Sequence, residues 1–207
     1  IYVLINDINE PDDGSLSIEA EEYHAAVTGV STSSAQPVAN NPLNTNVSPG
    51  PINPPIIFEP PSSLAGNPSI WAAVSGGDGT TYNPNWGGCY VWISSDNVTY
   101  NQIGQVDTAA RMGKLTANLA TYVGTNPDAT GVLSVTLLMS NGELEDAQPS
   151  DAEAGVTVSY VGGELMSYEN TTLTGTATYD LEELWRGQYG STRGAHSIGD
   201  NFARLDD

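Results

Sequence analysis

The residues best equipped for chemistry gather at the end of the chain, in LWRGQYGSTRGAHSIGDNFARLD (Leu184 to Asp206). Three of the five basic residues (Arg186, Arg193 and Arg204) and one of the two histidines, His196, lie there. Such a set is open to two uses. An imidazole beside a hydroxyl and a carboxylate can serve as a general base for a nucleophilic serine. Guanidinium groups can instead pair with carboxylates and backbone carbonyls and hold an irregular loop in place. The first use lacks its presenting motif, because no G-x-S-x-G turn occurs. The second fits the spacing. Gly187, Gly190, Gly194 and Gly199 divide the polar residues into short steps, as in a loop that turns repeatedly. The expectation is a structural loop built on Arg186, Gly187, Gly190, Arg193 and His196, with FARLD returning as a final strand.

A second concentration is aromatic. Trp71, Tyr82, Trp86, Tyr90, Trp92 and Tyr100 crowd around the glycine-rich stretch SGGDGTTYNPNWGG. Aromatic faces with amide neighbours are what sugar sites use, since C–H groups stack on the rings while hydroxyls bond to Asn and Asp. On that reading Tyr82, Trp86, Asp78 and Asn85 are the candidate ligand- or receptor-binding residues. Most of these rings fall on alternating, strand-like runs, so burial in a core is the favoured alternative.

Other constellations carry less. SSDNVTY (Ser94 to Tyr100) faintly resembles the S-x-D-x-G-x-T-W hairpin of sialidases, but Val98 occupies the glycine position and there is one copy. Asp96-Asn97 reads more simply as the tip of a tight hairpin. No pair of carboxylates stands out for glycoside hydrolysis. His24 and His196 have no partner at metal-ligand spacing, and Asp12, Asp13, Glu19 and Glu21 do not match a calcium-loop pattern. The lone Cys89 sits in an apolar run and reads as a small buried hydrophobe. The sequons at Asn46, Asn97 and Asn170 are expected by chance in a chain this rich in Asn and Thr. No catalytic, metal-binding or cofactor-binding residue is assigned.

Charge excludes more than it identifies. Five Lys and Arg against 25 Asp and Glu give a net charge of −20, dispersed along the chain. Such a surface repels phosphate backbones and anionic membranes. No apolar run approaches the roughly 20 residues that span a bilayer. The chain opens on Ile1 inside a strand-like run, which reads as a piece of something longer.

The elements that position these residues are read from periodicity and turn chemistry. Residues 1–30 form a hairpin around Pro11-Asp12-Asp13-Gly14, expected to complete the sheet of a preceding domain. Residues 31–67 are rich in Pro, Asn and Ser and read as an extended arm whose Ile56, Ile57 and Phe58 seek burial against another surface. Residues 68–207 alternate short apolar runs with turn signals, giving an antiparallel β-sandwich or barrel-like domain, mainly β. In CYVWISS both faces are apolar, which predicts a central strand covered on both sides. Helix is scarce; Asp180 to Leu184 allows one turn at most.

The closing loop also resembles a pattern in the tail-tip hub proteins of siphophages and gene transfer agents. That pattern runs roughly L-x-R-G-x-x-G-T, then a His-Gly pair and an aliphatic strand. Leu184, Arg186, Gly187, Gly190, His196, Gly199 and Phe202 fall in its register, with Ser191-Thr192 where Gly-Thr is typical. INDINEPDDGSLSIEAEEY is similar to the last hairpin of the hub domain in those proteins. PPIIFEPPSSLAGNPSIWAAVSGG and NWGGCYVWISSDNVTYNQIG are similar to the Pro-rich passage and β domain that follow. The resemblance implies a non-enzymatic structural protein of the virion tail tip, or baseplate hub, active in assembly and host adsorption. It further implies homotrimers about the tail axis, contact with other tail-tip proteins, and a host receptor or glycan as external partner. A carbohydrate- or receptor-binding β module is the rival reading, and an envelope polysaccharide hydrolase the third.

Overall fold

The structure, a computed structural model, describes the strands β1 (Val3–Asn9) and β2 (Ser17–Glu22) and the continuous run 50–206. The turn at Pro11 to Gly14, His24, the arm residues 31–49 and the sequon at Asn46 lie outside the described residues. The chain divides into two units, Ile1–Asn46 and Val47–Asp207. In the first, β1 and β2 pair antiparallel with an irregularity between Ile5 and Asp7.

The second unit is built on one curled, seven-stranded antiparallel sheet resembling half a barrel. Its strands are β7 (Met112–Leu115), β8 (Leu133–Thr136), β9 (Ser159–Val161), β10 (Glu164–Met166), β11 (Asn170–Gly175), β12 (Thr178–Glu182) and β13 (Asn201–Arg204). They lie in the order β10-β9-β13-β7-β8-β12-β11. The closing FARLD is therefore a central strand, seated between β9 and β7.

Strand alternation sends neighbouring residues to opposite faces of this sheet, and both faces of its middle are apolar. Phe202, Val161 and Leu115 join Leu133, Val135, Met166, Tyr179 and Leu181 in one core. Their near neighbours Ala203, Tyr160 and Met112 belong to a second cluster on the other face, with Ile56, Ala73 and Met139. Covering that second face is a short hairpin, β3 (Ile56–Phe58) and β4 (Trp71–Ala73), around the helical turn α1 (Ser62–Ala65). Phe58 stacks on Tyr160 with ring centres 4.3 Å apart and meets Trp71 edge-on at 6.0 Å. Of the three apolar residues expected to be buried here, Ile56 is buried and Phe58 half-buried, whereas Ile57 is 61% exposed. The pleat that turns Ile56 inward turns Ile57 out.

Two expectations are corrected. Asp180 to Leu184 makes no helical turn: Thr178–Glu182 is strand β12, because Tyr179 and Leu181 alternate into the core. The short helix of this half is α2 (Pro149–Glu153), with Pro149 at its start, where a missing N–H costs nothing. The second correction concerns CYVWI. Strand β5 (Cys89–Ile93) pairs with β6 (Asn101–Val106) alone, as a separate two-stranded sheet. Neither face of it is covered as a central strand would be, and Tyr90, Trp92 and Ile93 are exposed while Cys89 is half-buried. The physical reason is that among the described residues no third strand joins the pair, and the partner NQIGQV is itself mostly polar, with its Ile103 63% exposed.

Candidate functional site

The closing loop is organised around a carboxylate that sequence reasoning missed. Glu164, first residue of β10, is buried, and each of its oxygens is saturated. Oε1 accepts from Arg186 Nε at 2.8 Å and from the Gly187 N–H at 3.0 Å. Oε2 accepts from Arg186 Nη2 at 2.8 Å, the Gly194 N–H at 3.0 Å and His196 Nε2 at 2.9 Å. An ionised carboxylate only accepts, so Nε2 carries the proton in that contact. Arg186 is fully buried and spends two of its three remaining donors on the carbonyls of Ala120 (3.2 Å) and Gly194 (2.6 Å). Asp128 Oδ2 stands 3.7 Å from Nη1.

Backbone geometry makes this clasp reachable. Leu119 and His196 exchange both backbone hydrogen bonds, as do Asp128 and Leu184, so the 116–131 segment is stitched to the closing loop. Asn126 binds Arg186 through the main chain, donating to its carbonyl at 2.9 Å and accepting from its N–H at 3.0 Å. Gly187 has φ +69, and a Cβ there would meet the Arg193 side chain at 2.9 Å, so glycine is required for its N–H to face Glu164. Gly190 ends the 3-10 turn Gln188–Gly190 and is exposed. Arg193 donates to the Gly124 carbonyl at 2.8 Å.

The electrostatics follow from these contacts. Burial by itself raises the Glu164 pKa, but hydrogen bonds from Arg186, His196 and the Gly194 N–H outweigh it and hold the carboxyl at about 2 instead of the ordinary 4.5. A general acid or base needs a proton to exchange and a substrate within reach. Glu164, Arg186, Asp128 and His196 are each at most 5% exposed, and the lone pairs of Glu164 are taken. The arrangement is equipped to hold chain segments together.

The four candidate binding residues lie in the 75–88 loop, with Asp78 and Asn85 exposed, Tyr82 half-buried and Trp86 buried. Trp86 is buried, with its ring pressed on Gly76; a Cβ at that glycine would come within 2.1 Å of the indole. Tyr82 is half-buried and bridges to Gly77. Asp78 is exposed, and its Oδ1 accepts from the N–H and hydroxyl of both Thr80 and Thr81, which holds its carboxyl well below the usual range. Asn85 is exposed and donates its N–H to Asn83 Oδ1. Beneath them Asn53, fully buried, anchors the loop. Its amide donates to Ser75 Oγ (2.9 Å) and the Met139 carbonyl (2.6 Å) and accepts from the Gly79 N–H (2.7 Å).

The aromatic residues expected in a core are mostly outside it. Tyr90, Trp92 and Tyr100 are each more than half exposed on the β5–β6 hairpin, a correction to the core reading. The turn of that hairpin is as the sequence predicts. Asp96 accepts from the N–H groups of Thr99 (2.8 Å) and Val98 (2.9 Å) and from Ser94 Oγ, and Asn97 takes φ +58. An open cleft of about 470 Å³ lies beside Trp71, Arg111 and Asp206, but Arg111 is already paired with Asp206 through two bonds of 2.7 and 2.6 Å. Among the described residues no group of three or more His, Cys, Asp or Glu is placed to hold a metal ion, and no helix is long and apolar enough to cross a membrane.

Residues 110–203 match the model of a family described as "Rcc01698-like, C-terminal". No curated protein matches the chain. The matched stretch contains strands β7 to β12 and β13 through Ala203, together with Asp128, Glu164, Arg186 and His196. The β3–β4 and β5–β6 hairpins precede it.

Proposed function

We propose that this chain is a non-catalytic structural module of a phage-like tail tip, serving tail assembly and host adsorption as part of the virion. The observation that carries the reading is the match of residues 110–203 to the Rcc01698-like family, whose name is related to gene transfer agents. It falls on the same chain whose earlier stretches resemble, in order, the end of a tail-tip hub domain and the passage after it. The closed Glu164–Arg186–His196 clasp supports a mechanical role, since the residues that look chemical in sequence are consumed in holding loops. Partners on this reading are further copies of the chain, arranged as a trimer about the tail axis, other tail-tip proteins, and a host receptor or glycan. A second reading, glycan binding, is favoured by the exposed aromatic residues of the β5–β6 hairpin and is compatible with the first.

The test is a density map of intact particles, or immunogold labelling with antibodies raised against residues 110–203. Density or label at one end of the tail is expected; label confined to particle-free protein contradicts the proposal. Incubation of the full chain with host envelope polysaccharide should release no sugar. Release that disappears in His196→Ala would make the protein a hydrolase.

A further inference from the structure

The β5–β6 hairpin is the one place among the described elements where apolar rings are displayed instead of packed, and its cross-strand pairing sorts them. Tyr90 stands opposite Gln105 and Trp92 opposite Gln102. Directly opposed residues share a face, as do residues two apart on one strand. Tyr90, Trp92, Gln102 and Gln105 therefore lie together, two aromatic rings in line with an amide beside each. The register shift between Val91 and Trp92 skips Ile103, and this bulge is what keeps both glutamines on the aromatic face. Tyr90 is 62% and Trp92 53% exposed, and both glutamines are exposed. The other face, with Cys89, Val91 and Ile93, is aliphatic.

We propose that this face, Tyr90, Trp92, Gln102 and Gln105, binds a neutral oligosaccharide or polysaccharide. The two rings are roughly 7 Å apart along the strand, so neighbouring sugar units of one chain can stack on them. Gln102 offers its amide donors and acceptor, and Gln105, whose Nε2 donates to Asp107 Oδ1, offers its carbonyl oxygen and remaining N–H, which suits hydroxyls that both donate and accept. Charge selects the class of glycan. Residues 89–106 contain no Lys or Arg, and their one acid, Asp96, is occupied in the turn. On a chain of net charge −20, an anionic glycan finds no counter-charge here and is repelled. The same net charge disfavours a second copy on this face. The inference rests on the tail-tip reading only in making the sugar a host surface component; sugar binding and particle location are measured separately and can fail separately.

The experiment is retention of the full chain on immobilised neutral glucose-, galactose- and mannose-containing polysaccharides, with polysialic acid as the anionic comparison. Retention on at least one neutral polysaccharide is expected, unchanged between roughly 0.05 and 0.5 M salt because no ion pair is involved. Trp92→Ala and Tyr90→Ala should each weaken it about tenfold or more, Gln102→Ala should weaken it less, and Trp92→Phe should retain most of it. Thermal melting of each variant, expected unchanged, separates lost binding from lost fold. Four results overturn the proposal: no retention on any neutral polysaccharide, retention on polysialic acid alone, retention that survives the Tyr90→Ala/Trp92→Ala double variant, or a dimer of the full chain that the double variant dissociates.

Discussion

The clasp around Glu164 and the β5–β6 hairpin reverse the usual distribution of polar and apolar groups. In the clasp, charged side chains are at most 5% exposed; in the hairpin, Tyr90, Trp92, Tyr100 and Ile103 are each more than half exposed. Burial of charge is tolerated in the first because every lone pair of Glu164 and most donors of Arg186 have partners within the fold. Exposure of rings in the second requires no such compensation, but a two-stranded ribbon of that kind contributes little to stability by itself. One region exists to hold the sheet and its loops, and the other is held by them. The family match is divided the same way, since residues 110–203 contain the clasp and exclude the hairpin.

Substitution should separate the two regions sharply. Arg186→Ala leaves Glu164 buried without its counter-ion and should cost about 3–5 kcal/mol in denaturant unfolding, a large share of the roughly 5–15 kcal/mol ordinary for a folded protein. Acid should attack the same point. A carboxyl whose folded pKa is depressed stabilises the protein above its unfolded value and loses that contribution as pH falls through the folded value. The Glu164 contribution is thus complete above about 4.5 and disappears on the way to about 2, so unfolding midpoints should drop across that interval. In Glu164→Leu/Arg186→Met the drop in that window should be shallower.

Asn53→Ala should cost about 1–3 kcal/mol, because it removes the acceptor of the part-buried Gly79 N–H and one of the two donors to the Met139 carbonyl, leaving that of Ser75. The smallest effect belongs to the hairpin. Trp92→Ala should change stability by no more than about 0.5 kcal/mol, as for an exposed side chain without a structural partner. A large loss there would mean that Trp92 is packed, and the contrast between the regions would collapse.

How much of this the sequence discloses depends on how local the cause is. The runs around Met112, Leu133, Ser159 and Thr178 alternate or sit between turn residues, and each contains a strand of the sheet. The Asp96-Asn97 turn is legible because its hydrogen bonds are made within three residues. Arg186, Gly187 and His196 are legible as a structural loop, but their common partner is not. Glu164 is one of 25 acids, it follows Gly162-Gly163 as a surface turn residue would, and its ligands are 22 to 32 residues away. The available signal was weak: an acid opening a strand whose next residues, Leu165 and Met166, are apolar on both faces.

CYVWI misled for the opposite reason. Apolar character on both faces normally means two covering layers, and only the polarity of its partner strand NQIGQV indicates otherwise. Asn53 was hidden in a stretch whose composition reads as an extended arm, although a buried asparagine among prolines is what a polar anchor requires. The burial of Trp86 and the exposure of Trp92, six residues on, could not be told apart from residue type; the difference is set by Gly76, whose missing side chain makes room for one ring and not the other.

The central claim is that the residues resembling a reactive cluster are a structural clasp, and a double-mutant cycle between Glu164 and Arg186 tests it most directly. Glu164→Leu and Arg186→Met should each lose about 3–5 kcal/mol in equilibrium unfolding, while the double variant should lose less than either, since neither charge is then left alone in the interior. Single losses under about 0.5 kcal/mol that simply add would show that the pair does not hold the fold, and would contradict the account.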